Sequence, residues 1–120
     1  MKKKFIDLMK KELQEEKRFL KEILAPLARE IKNNVYEIRP PLMGEGDFEE
    51  REAKEDEEFG NRLAVIEKLK ERLDEVNEAL KRIEKGDFGK CQSCSKKIEV
   101  EVLLANPAAK FCKKCLKKKL

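Results

Sequence analysis

The stretch FGNRLAVIEKLKERLDEVNEALKRIEKG, residues 59–86, decides the fold class. Its apolar residues are Phe59, Leu63, Ile66, Leu69, Leu73, Val76, Leu80 and Ile83. They recur at steps of 4, 3, 3, 4, 3, 4 and 3, close to a heptad seam, while Glu, Lys and Arg fill the flanks. Extended back to Phe48, this pattern predicts a long helix over residues 48–85. Gly86 follows the last periodic residue, where a left-handed C-terminal cap is expected.

Upstream, Ile6, Met9, Leu13, Leu20, Leu24, Leu27 and Ile31 fall mostly three or four residues apart and predict a helix over residues 3–33. Pro26 should kink that helix or divide it, and Asn33-Asn34 is its expected stop. Residues 34–47, with Pro40-Pro41, Gly44 and Gly46, form a connector whose apolar residues can pack back on the helices. Two amphipathic helices joined this way most simply fold as an antiparallel hairpin. A seam that zips two chains together is the alternative, and a monomer is the expectation. The mainly α fold thus divides into a coiled-coil hairpin at 1–86, with its tip at about 34–53, and a small module at 87–120 holding short strands or turns and then a Lys-rich helix.

Composition agrees with this division. Of 120 residues, 45% are charged and only 6% aromatic, too polar for a thick globular core but suited to paired helices. The net charge of +4 does not by itself indicate a nucleic-acid binder. The N-terminus lacks the apolar run of a secretory signal, and no stretch approaches a membrane span, so a cytoplasmic protein with no membrane partner is expected.

The small module carries the chemistry. Cys91 and Cys94 form one C-x2-C pair, Cys112 and Cys115 another, with seventeen residues between. Two such turns supply the four corners of a tetrahedron, which Zn2+ fills with thiolates and no open position. A closed shell leaves no place for a catalytic water, and the chain contains no histidine to act as ligand or base. The site is therefore read as one structural Zn2+, and the protein as a non-enzyme. Two disulfides conflict with a reducing compartment, and a redox pair would need a βαβ pattern that is not visible. A zinc tetrathiolate carries −2, which lowers the formal net charge from +4 to +2. Lys90, Lys96, Lys97, Lys110, Lys113 and Lys114 lie close enough in sequence to offset it.

Charge is polarised along the chain. Residues 44–58 hold nine acids against Arg51 and Lys54, a net −7, which suits a helix start. At the tip of a rod the same acids can approach a cation or a basic channel. Residues 110–120 carry six lysines and no acid. A tail of lysines allows weak, non-specific nucleic-acid contact without base readout. A small zinc protein acting on nucleic acid, or as an adaptor, through this tail is the alternative function.

The run from Arg82 through Gly86-Asp87-Phe88-Gly89-Lys90-Cys91 to Cys94, followed by Ile98, Leu103, Ala105, Pro107, Cys112 and Cys115, resembles the DksA/TraR family of zinc-finger transcription factors. Asp56-Glu57-Glu58-Phe59 resembles that family's acidic-Phe segment, and the likeness covers roughly residues 53–115. It implies a coiled-coil hairpin on a zinc-finger base that binds RNA polymerase directly, its tip entering the secondary channel towards the catalytic Mg2+. It also implies that the tip residues make the regulatory contact. The family's Asp-x-x-Asp-x-Ala falls on Phe48, Arg51 and Ala53, so only the alanine is kept. Asp47 and Glu50 stand one position off register and, with Ala53, are the tip candidates. The family's cationic contacts to the alarmone ppGpp fall on Glu75, Asn106 and Leu116, so weak or absent ppGpp binding is expected. Ser95 stands where the family usually has glycine.

Overall fold

In a computed structural model of the chain, residues 2–32, 35–38 and 48–119 are described, and side chains for residues 2–32, 35–37 and 61–118. The described elements are, in order, α1 (Lys3–Leu24), β1 (Ala28–Lys32), β2 (Val35–Ile38), α2 (Phe48–Lys85), α3 (Val100–Ala105) and α4 (Lys113–Lys119). They divide into two compact units. One comprises residues 1–18 and 74–120, the other residues 19–73.

Helix α1 is shorter than its periodicity predicts. It ends at Leu24, two residues before Pro26. Proline has no N–H to continue the ladder and pushes the preceding residue away from helical backbone angles. The Ala25 N–H still bonds the Lys21 carbonyl, and the Leu27 N–H closes a tighter turn on Leu24. Residues 28–32, expected to be helical, are instead a strand. It pairs antiparallel with Val35–Ile38, in the register Ala28 to Ile38, Arg29 to Glu37, Glu30 to Tyr36 and Lys32 to Val35. The β-branched and aromatic residues of β2 favour this, and an Arg29–Glu37 ion pair of 2.9 Å joins opposed positions. The irregularity between Glu30 and Lys32 leaves Ile31 more than half exposed, although the helical pattern places it in the core. The expected stop at Asn33-Asn34 and most of the connector lie outside the described residues.

Helix α2 spans the predicted residues. Among its seam positions Ile66, Leu73 and Val76 are buried, and Ala79 joins them although it lies outside the seam. In α1, Met9, Leu13, Leu20 and Leu24 are buried. Among the described side chains of residues 19–73 the buried positions are thus Leu20, Leu24, Ala28, Ile66 and Leu73. In the other unit Met9, Leu13, Val76 and Ala79 are buried together with the cysteine module's own core.

The end of α2 aims the chain into that module. Gly86 has φ +81°, its N–H bonds the Ile83 carbonyl at 3.2 Å, and the Asp87 N–H reaches the Arg82 carbonyl at 2.8 Å. This pair of bonds is a Schellman cap. A Cβ added at Gly86 would meet nothing within 4 Å, so the need for glycine comes from backbone angle alone. Gly86→Ala is therefore expected to destabilise the protein by about 1 kcal/mol, the cost of a left-handed alanine, and Gly86→Asn by less. Thermal or urea unfolding of the two variants checks both the magnitude and the order.

Candidate metal centre

The first cysteine pair sits in a tight knuckle directly after the cap. Lys90 and Lys97 form an antiparallel bridge, and the Ile98 N–H bonds the Gly89 carbonyl at 2.8 Å. Inside this loop the Cys91 N–H bonds the Lys96 carbonyl at 2.8 Å and the Ser95 N–H bonds the Cys91 carbonyl at 3.0 Å. The chain can close so tightly only by passing through a left-handed residue. That residue is Ser95, with φ 63°. The geometry accounts for the glycine that the family resemblance expects there.

The second pair is positioned by α3, the turn after it and α4. Of the segment 98–104, expected as short strands or turns, residues 100–104 instead belong to helix α3, with Leu103 buried and Val100 and Leu104 exposed. Leu103 belongs to a small apolar core with Phe88, Ile98, Ala108 and Ala109. Apolar positions 98, 102 and 103 fit a helical face, while 98, 100, 102 and 104 fit the alternation of a strand, which is why a run this short is ambiguous in sequence. Asn106 ends the helix. Its side-chain oxygen accepts the Ala108 N–H at 3.1 Å, and its carbonyl accepts the Ala109 N–H at 3.0 Å. The chain then crosses to the knuckle, where the Gln92 N–H bonds the Lys110 carbonyl at 2.8 Å.

Cys112 lies just before α4 and Cys115 in its first turn, and the Leu116 N–H bonds the Cys112 carbonyl. Glu99, not singled out by its sequence, fixes the start of α4 by accepting the Lys113 N–H at 3.0 Å. That bond holds the Glu99 carboxyl below its ordinary range, helped by its own N–H and the Lys113 charge and opposed by desolvation. The contact is thus present above the ordinary glutamate range and is lost as the pH falls through the lowered value. A Lys110–Glu78 ion pair of 2.9 Å ties the module to α2, again with no sequence signal at this separation.

These elements bring the four sequence-predicted cysteines together. Their sulfurs lie within 4.8 Å of one another, with Cys91, Cys112 and Cys115 buried and Cys94 exposed. The Cys94 and Cys112 sulfurs are 3.7 Å apart. A tetrahedron with Zn–S bonds of about 2.3 Å has edges of roughly 3.8 Å. The spacing fits a closed tetrathiolate shell and is far too long for disulfide bonds, which measure about 2.05 Å.

The thiols differ in their hold on the proton. At Cys91 burial opposes the thiolate, but the backbone N–H groups of Cys94, Cys112 and Ser93 and the Cys94 thiol outweigh it and lower the pKa to about 6. Cys115 is pushed up to about 12 by its thiol contacts with Cys112 and Cys91, by burial and by Cys94. The four thiols share contacts and titrate together, so metal binding to the cluster releases protons.

Of the predicted tip residues, Asp47 lies outside the described residues. Glu50 and Ala53 fall in the first turns of α2, where only the backbone is described.

Metal removal by a chelator, or Cys112→Ser, is expected to unfold the module spanning α3 and α4. The chain should bind one ion, release protons on loading and lose the ion on acidification, since protons compete for the same sulfurs. Metal content, proton release and far-UV circular dichroism across pH check this.

No family model matches the chain. It is 30% identical over 99 residues to the RNA polymerase-binding transcription factor DksA of Salmonella typhimurium, covering 82% of this chain and 65% of that protein. The DksA of Buchnera aphidicola is 35% identical over 63 residues, covering 52% of this chain and 42% of that protein. The chain thus spans less than two thirds of the length of either curated relative. The solved structure of transcription factor DksA2 from Pseudomonas aeruginosa aligns with a TM-score of 0.62 at 27% identity, covering 96% of this chain and 79% of that one. With the four thiols gathered behind the Gly86 cap and these similarities spanning most of its length, the chain belongs to the DksA/TraR family.

Proposed function

We propose that this chain is a transcription regulator that binds RNA polymerase directly, without sequence-specific DNA recognition and without enzymatic activity. The observation that carries the reading is the similarity, over 82% of the chain, to a protein named for binding RNA polymerase. The gathered thiols support it, because they preserve the one chemical centre that the family motif contains.

In this reading Cys91, Cys94, Cys112 and Cys115 hold one structural Zn2+. The ion orders the module at 87–120 and does no chemistry on a substrate, since four thiolates complete its shell. Residues 1–86 act as an antiparallel coiled-coil hairpin, with the tip at about 34–53 entering the secondary channel of the polymerase. Asp47, Glu50 and Ala53 make the tip contact. The protein works as a cytoplasmic monomer. Among the described residues no helix is long and apolar enough to cross a membrane, which is compatible with this.

The cysteine module also bears on control by ppGpp. Glu75, Asn106 and Leu116, the positions where cations are expected for alarmone binding, line one cavity of about 510 Å³. Val102, Ala105 and Ala108 make much of the remaining wall apolar. Lys110 is also at this cavity, but its ammonium group is engaged by Glu78. Apolar walls with the only lysine of the lining engaged by Glu78 cannot replace the hydration of a polyphosphate. A ppGpp titration of the chain bound to polymerase is expected to show no saturable binding at this cavity, whereas a saturable response abolished by changing Asn106 would contradict the reading.

The primary test is equilibrium binding of the labelled, zinc-loaded chain to core RNA polymerase in the presence of a second protein that occupies the secondary channel. Saturable binding displaced by that competitor is expected. Absence of binding by a chain with full zinc and helix content would reject the function.

A further inference from the structure

A second cleft, of about 270 Å³, opens on the cysteine module. Lys96 and Lys97 line it from the knuckle and Lys114 and Lys118 from α4, beside three of the four gathered thiols, Cys94, Cys112 and Cys115. The two lysine pairs come from segments well separated in sequence and meet only because the cysteines draw the knuckle and α4 together. Two other lysines of the module are committed. Lys110 pairs with Glu78 at 2.9 Å and Lys113 with Glu101 at 2.7 Å. The ammonium groups of Lys96, Lys97, Lys114 and Lys118 have no ion-pair partner among the described residues. The one acid lining the cleft, Glu99, is occupied by the Lys113 N–H.

Compensation of the metal centre does not account for so many charges. Residues 90–119 contain nine lysines against Glu99 and Glu101, so even with the −2 of a zinc tetrathiolate the module keeps a net +5. The rest of the chain is then net −3. Positive charge is therefore concentrated on the module and left unneutralised at this cleft.

We infer that the cleft binds the phosphate backbone of nucleic acid, independently of base sequence. Lysine is a compact, strongly hydrated point charge that suits phosphate oxygens and is depleted from the cores of protein–protein interfaces. The cleft presents no arginine fork and no aromatic ring, the groups that read or stack on bases. A backbone contact that carries no sequence information is what remains. This contact goes beyond polymerase binding and stands or falls separately from it.

The test is fluorescence anisotropy of a labelled mixed-sequence DNA duplex with the zinc-loaded full chain, between 50 and 200 mM salt. Four phosphate contacts give a slope of log K on log salt near about −3.6. Lys96→Gln with Lys97→Gln, and separately Lys114→Gln with Lys118→Gln, should each reduce the slope by about 2 with zinc content unchanged. Lys3→Gln with Lys10→Gln, on the exposed face of α1, should leave it as it is. Binding that neither cleft pair alters would overturn the inference, as would absence of binding at 50 mM salt. So would preferential displacement by polyglutamate of matched charge, which would assign the cleft to an acidic protein surface. Polymerase affinity measured on the same variants separates this result from the proposed function.

Discussion

The convergence of four sulfurs within 4.8 Å is the constraint on which the C-terminal part of the molecule depends. Thirty-odd residues bury too little apolar surface to fold alone, and their core amounts to Phe88, Ile98, Leu103 and two alanines. Everything else in the module serves the sulfur geometry. The left-handed Ser95 closes the first knuckle, the Asn106 turn brings the chain back, and Glu99 sets the start of α4. The backbone bond from Cys91 to Lys96 closes the first knuckle, and that from Gln92 to Lys110 ties it to the segment leading into Cys112. A metal ion held by these sulfurs would add the binding energy that such a small framework lacks.

The cap at Gly86 couples this centre to the long helix. Because Asp87 bonds back to Arg82, the chain leaves α2 in a fixed direction, and Phe88 is buried two residues later. The Lys110–Glu78 ion pair adds a second link, though an exposed pair of this kind contributes little to stability. Its consequence is local. It engages a cation of the cavity lined by Glu75 and Leu116, while four lysines with no ion-pair partner among the described residues line the other cleft. The module thus has one largely apolar cavity and one basic cleft, with different chemistry available to each.

Legibility in the sequence followed the strength of each physical signal. The α2 seam is long, regular and free of proline, and its limits at Phe48 and Lys85 agree with the periodicity. The cysteine spacing led directly to the gathered thiols. The hairpin of β1 and β2 was misread because Leu27 and Ile31 also lie four apart, and a helical continuation absorbed them. The competing signal was present. Pro26 ends a helix, and Asn33-Asn34 stands between Glu30-Ile31-Lys32 and Val35-Tyr36-Glu37, a turn dipeptide between β-prone runs. Helix α3 was missed for a related reason, since six residues give period 2 and period 3.6 almost equal support. The Glu99 bond to Lys113 and the pairing of Lys110 with Glu78 left no sequence trace, because these partners are brought near only by the folded module.

The acidic stretch leading into α2 is the feature that links fold to proposed action, since residues 44–58 concentrate a net −7 at the proposed polymerase contact. The most direct measurement of that claim is site-specific photocrosslinking from position 53, with the zinc-loaded chain bound to core RNA polymerase and the crosslinked peptides identified. The account predicts crosslinks to the walls of the secondary channel near the catalytic Mg2+, lost when a channel-occupying protein is added. Crosslinks confined to the outer surface of the polymerase, unaffected by that competitor, would contradict it.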